Sequence, residues 1–96
     1  MSAPPATLPI IGALALDFER LAEEAAALGH AGRRVEKTLA ALREATEETR
    51  PARLRDAAEA VHHYFILREM RGFRRHDDAV TLYRIPRSVL ARLGAS

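Results

Sequence analysis

From Leu14 onward the apolar positions fall into a helical rhythm. Leu14, Phe18, Leu21, Ala25 and Leu28 alternate between spacings of four and three, the repeat that lines one face of a packed helix. Gly29-His30-Ala31-Gly32 interrupts the composition, and glycine commonly follows a helix end. The phase nevertheless carries through, because the same count lands on Gly32, Val35, Leu39 and Leu42. One long helix from near residue 12 to residue 46 is therefore predicted, with a tight hairpin broken at 29–32 as the alternative. Gly29 and Gly32 each cost such a helix about 1 kcal/mol relative to Ala, a cost offset where the glycine lets another helix approach closely.

A polar connection, Thr46-Glu47-Glu48-Thr49-Arg50-Pro51, precedes a second periodic stretch. Thr49 suits an N-cap, with Pro51 in the first turn, where a missing N–H does no harm. Leu54, Ala58, Val61 and Phe65 form the next seam, and Gly72 should end the helix. Near that end Tyr64, Phe65, Ile66, Leu67 and Met70 make it apolar on several faces, the pattern of a helix buried between neighbours. A short helix opens at Asp77 or Asp78, both good caps, and carries Val80, Leu82 and Tyr83. Ile85-Pro86 breaks it, and a last short helix runs from Pro86 through Leu93 to a stop at Gly94. Residues 1–9, with Pro4, Pro5 and Pro9, read as a flexible lead-in to a single helical domain at 10–96.

Composition supports an all-α small helical bundle. Of 96 residues 19 are Ala and 12 are Leu, against four Val and four Ile. The absence of Cys excludes disulfides and Cys-ligated metal centres. The apolar run Leu8–Leu16 falls far short of the roughly 20 residues of a membrane span and lacks the basic start of a secretory signal, so a cytoplasmic protein is expected. The net charge of +2 hides an asymmetry: residues 1–49 sum to −3 and residues 50–96 to +5. A basic half attracts phosphates or acidic partners, and it can equally dock on the acidic half of its own chain or of a second copy.

Candidate chemistry is sparse. Arg68, Arg71, Arg74, Arg75, Arg84, Arg87 and Arg92 cluster around two short helices joined by a tight turn, the outline of a nucleic-acid-binding helix-turn-helix. The core pattern fits that motif poorly: aligned on Ala79, it sets Asp78, Arg84 and Arg92 at apolar positions and Tyr83 where the turn glycine belongs. Salt-paired surface arginines are the competing reading. Glu59-Ala-Val-His62 has the Glu-x-x-His spacing of di-iron bundles, but such sites need two motifs and two further glutamates, and one chain holds a single copy. No nucleophile elbow or phosphate loop is present. No metal, cofactor or catalytic residue is therefore expected.

Two stretches carry a resemblance: Ala27–Leu42, and Phe65–Gly72 followed by Tyr83–Gly94. Together they resemble a family of small bacterial all-helical proteins of unknown function. The resemblance implies a bacterial all-α domain and transfers no catalytic or binding residue.

The expected core comprises Leu14, Phe18, Leu21, Leu28, Val35, Leu39, Leu42, Leu54, Val61, Phe65, Val80, Ile85, Val89 and Leu93, with the C-terminal helices folded over one end. A non-enzymatic interaction or regulatory module is the leading functional expectation; nucleic-acid binding through residues 68–92 is the alternative. A seam from Leu14 to Leu42 would run about 42 Å and the helix at 51–71 about 30 Å, so a single partner helix cannot cover it. A homodimer is expected, its helices meeting closely at Gly29 and Gly32, with an unidentified protein partner also open.

Overall fold

The computed structural model describes residues 7–94. They form four helices, α1 (Thr7–Arg43), α2 (Arg50–Met70), α3 (Asp77–Tyr83) and α4 (Arg87–Gly94), and among the described residues there is no strand. The all-α bundle of two long and two short helices is as the periodicity requires.

Helix α1 passes through Gly29 and Gly32 without a break, which excludes the hairpin. It begins at Thr7, earlier than expected, and so takes in Pro9. Pro9 is third in the helix, where a backbone N–H has no helical acceptor in any case. Of the expected lead-in, residues 7–9 are helical, and residues 1–6 lie outside the described residues. Thr49 is the N-cap of α2 as expected, but its hydroxyl does not cap the helix. Instead Thr46 N–H donates to Thr49 Oγ1 at 2.9 Å and Thr49 N–H donates to Thr46 Oγ1 at 3.2 Å. That reciprocal clasp fixes the turn that reverses the chain.

Helix α2 runs antiparallel to α1. Arg34 lies 3.8 Å from Glu59, and Arg71 lies 3.4 Å from Glu24. At its C-terminus Gly72 adopts φ +94°, while Phe73 N–H reaches Arg68 O and Gly72 N–H reaches Glu69 O. This paired closure is the Schellman arrangement, which needs a left-handed residue at that point. Helix α3 closes the same way, with Ile85 N–H on Val80 O and Arg84 N–H on Thr81 O. Here the left-handed residue is Arg84, at φ 54°. The Arg43 guanidinium donates to Tyr83 O and Arg84 O, tying the end of α1 to the α3–α4 turn.

The core lies where the C-terminal half of α1, α2, α3 and α4 meet. Val35, Leu39, Leu42, Val61, Ile85 and Val89 are buried, with Ala31, Ala57, Ala58, Ala60 and Ala79 filling the close crossings. Leu28, Leu54, Phe65, Val80 and Leu93 pack partly buried around them. Three expected core residues are not there: Leu14, Phe18 and Leu21 are exposed. Their helix is intact, but α2 has 21 residues and ends beside Glu24 and Ala27, so among the described residues no helix lies against the stripe beyond that point. The expectation that the end of α2 is buried between neighbours holds for Tyr64, which is buried, and for Phe65 and Leu67, which pack partly buried on the core, but not for Ile66 and Met70. Ile66 and Phe73 are exposed, and Met70 is 77% exposed, because among the described residues no further helix reaches them.

Candidate interaction surfaces

Helix α1 divides the molecule into a body, residues 28–93, and a projecting arm, residues 12–27. On the arm Leu14, Leu16, Phe18 and Leu21 are 51–70% exposed. Leu14, Phe18 and Leu21 continue the stripe that Val35, Leu39 and Leu42 present to α2. Leu16 lies off that stripe, so the arm is apolar on more than one side. Its charges, Asp17, Glu19, Glu23 and Glu24 against Arg20, make it acidic. Where arm and body join, Glu24, Ala27, Leu67, Met70 and Arg71 line a crevice of about 110 Å³.

The seven C-terminal arginines do not form one surface. Arg68 is 7% exposed and organises the end of α2 from inside. Its Nη2 donates to Asp78 Oδ1 at 2.7 Å and to Arg75 O at 3.2 Å, and its Nε donates to His76 Nδ1 at 3.1 Å. Because Nδ1 accepts, the imidazole proton sits on Nε2, which donates to Glu69 Oε2 at 2.8 Å. The His76 ring stacks on Phe65 with centroids 4.0 Å apart. The guanidinium also lies 4.7 Å from the Phe73 ring centroid. Burial weighs against the charged form of Arg68, but its contacts with Tyr64 and Asp78 outweigh that effect and raise its pKa. In return Arg68, helped by the Ala79 N–H, holds the Asp78 carboxyl below its ordinary value.

Arg71 pairs with Glu24 and Arg75 with Asp77. Arg74, Arg84, Arg87 and Arg92 are exposed. Arg92, however, lines an open cleft between α2 and α4 together with Arg55, Glu59, His62 and Leu93. Glu59 in that cleft faces Arg34, and among the described residues no three His, Asp or Glu side chains converge as a metal site would require. Also among the described residues, no helix is long and apolar enough to cross a membrane.

The two glycines separate as well. Gly32 is a site of close approach, but to α3: a β-carbon there would stand 2.6 Å from the Tyr83 hydroxyl and 3.6 Å from the Tyr64 ring. Tyr64 and Tyr83 meet edge to face at 5.4 Å. Burial, with the neighbouring Tyr64 adding to it, pushes the Tyr83 phenol up to about 12. Gly29 faces only the Arg33 side chain of its own helix. Sequence reasoning missed Arg68 as a buried residue and left Tyr64 out of the expected core. Position is the signal that finds them, since Val61, Tyr64 and Arg68 follow one another at helical spacing on the buried face of α2.

No curated protein and no solved structure matches the chain. The family model described as a family of unknown function (DUF6665) matches residues 5–96. With a bundle of this architecture and a match across nearly its whole length, the chain belongs to that family.

Proposed function

We propose that the protein is a non-enzymatic, cytoplasmic interaction module, of the kind that serves regulation, and that the arm of α1 is its contact element. The observation that carries this reading is the row of large apolar side chains on a helix that no other described helix of the chain covers. Exposed apolar surface gathered on one element marks a binding site more often than scattered single residues do. The polar groups point the same way. Arg68, His76, Glu69 and Asp78 are engaged with one another in holding α2 to α3, which explains the most conspicuous polar cluster without invoking catalysis.

A photo-crosslinking amino acid placed at Phe18, compared with one at the exposed body position Lys37, tests the reading in cells. Protein adducts, to a second copy or to another protein, are expected at position 18 and not at 37. Adducts at neither position, or only at 37, would contradict it. Nucleic-acid binding is the weaker reading. It rests on the exposure of Arg74, Arg84 and Arg87 around the α3–α4 turn. A band shift that weakens steeply with salt is its signature.

A further inference from the structure

We infer that the arm is covered by the arm of a second copy, laid antiparallel in the lane that α2 leaves empty. The inference rests on the reading of the arm as a contact element and names its partner.

The lane is defined by the chain itself. One apolar stripe runs the length of α1, and α2 occupies it from Leu42 back to about Ala27, running antiparallel. Beyond that point the same face continues through Ala25, Leu21, Phe18 and Leu14, and among the described residues no helix lies on it. An occupant must continue in the direction of α2, match the four-three spacing, and be about 32 Å long, since α1 runs on from the arm to Thr7. The arm of a second copy meets all three conditions. Its spacing and length are the same by identity, and a two-fold axis makes the two arms antiparallel. The same operation fills both lanes at once, so the assembly closes as a dimer and leaves no lane open for a third copy. The partner's arm then points toward the exposed Met70 and Phe73 at the end of α2, the second apolar surface that the monomer leaves bare.

The surface area is sufficient. The chain exposes 7388 Å². A folded monomer of its mass exposes about 5,500 Å². The excess of about 1,900 Å² per copy, which counts the termini as well as the arm, leaves room for the roughly 800 Å² per partner of a standard interface. The shape gives the same result: the radius of gyration is 19.5 Å. About 12.5 Å is usual for a compact chain of this length.

Light scattering after size exclusion of the full chain tests the partner, and spin labelling tests the geometry. The wild type is expected at about twice 10.6 kDa at 100 μM, and Phe18→Asp/Leu21→Asp at 10.6 kDa. Leu82→Asp, changing an exposed leucine on α3, should leave the mass doubled. With a nitroxide on a cysteine at the exposed His30, antiparallel arms place the two labels about 40 Å apart, from the helical rise on either side of an axis near the middle of Thr7–Ala27. A wild-type mass of 10.6 kDa at 100 μM would overturn the second copy. If adducts at Phe18 then identify another protein, the interaction reading survives without it. A doubled mass that Leu82→Asp abolishes and the arm variant does not, or labels closer than about 20 Å, would overturn the arm-to-arm geometry.

Discussion

In the C-terminal half of α1, Val35, Leu39 and Leu42 are sealed against α2, whereas in the N-terminal half Leu14, Phe18 and Leu21 keep the same spacing and face solvent. The helix is continuous and the periodicity identical, so local sequence does not separate the two halves. What separates them is the reach of α2, whose 21 residues cannot accompany the 37 of α1. An amphipathic pattern specifies that a face will be covered and says nothing about which chain covers it.

The largest expected contrast is between equivalent leucines. Leu39→Ala should cost about 3 kcal/mol, the usual loss for a fully buried leucine. Leu21→Ala should cost less than about 0.5 kcal/mol when the protein is dilute, and more as concentration rises. Urea melts of both variants at two protein concentrations check this. A large cost for Leu21→Ala in dilute protein would mean that the arm packs on its own body. Next comes the polar cluster that closes the body. Arg68→Met keeps much of the side-chain bulk but loses the bonds to Asp78, Arg75 O and His76, and should cost about 2 kcal/mol. If Arg68 were a ligand-binding residue instead, its loss would leave the melt unchanged.

Most of the body was readable from the sequence, since four-three spacing fixes where α1 and α2 pack, and Thr49 with Pro51 and Gly72 bound α2, although α1 ends at Arg43 rather than at 46. The fate of Phe18 was not, because two helices of unequal length leave a remainder whose cover lies outside local pattern. Arg68 was misread for a different reason. Arginine is seldom buried without partners, and those partners, His76 and Asp78, arrive only when α3 folds back on α2. At Gly32 the group that comes close within the chain is the Tyr83 hydroxyl from α3, a contact that helical spacing along α1 does not reveal.

Gly32 gives the next test. Gly32→Ala alone should destabilise, because the new methyl meets the Tyr83 hydroxyl at 2.6 Å. In a Tyr83→Phe background the same change should stabilise by about 1 kcal/mol, the helix preference of Ala over Gly. Additive effects in the double-mutant cycle would contradict the contact. Arg84→Gly should raise stability by about 1 kcal/mol, since a left-handed φ strains any side-chain-bearing residue. A loss would show that the Arg84 side chain matters more than its backbone strain.

The smallest effects are in pH dependence. Tyr83 ionises less readily folded than unfolded, so the stability tied to its phenol is whole below pH 10 and is lost as pH rises toward about 12. Tyr83→Phe should flatten that decline. The Asp78 carboxyl, held low by Arg68, contributes above the ordinary carboxylate range and loses its contribution as pH falls through its folded value. The difference between wild type and Asp78→Asn should therefore shrink in acid.

Residue-resolved hydrogen exchange at two concentrations tests the contrast between arm and body most directly. Amides of residues 31–42 should be protected to the full stability of the body at any concentration. Amides of residues 13–24 should be weakly protected in dilute protein and strongly protected at 100 μM. Equal protection of both halves at every concentration, or an arm that stays unprotected at 100 μM, would contradict the account.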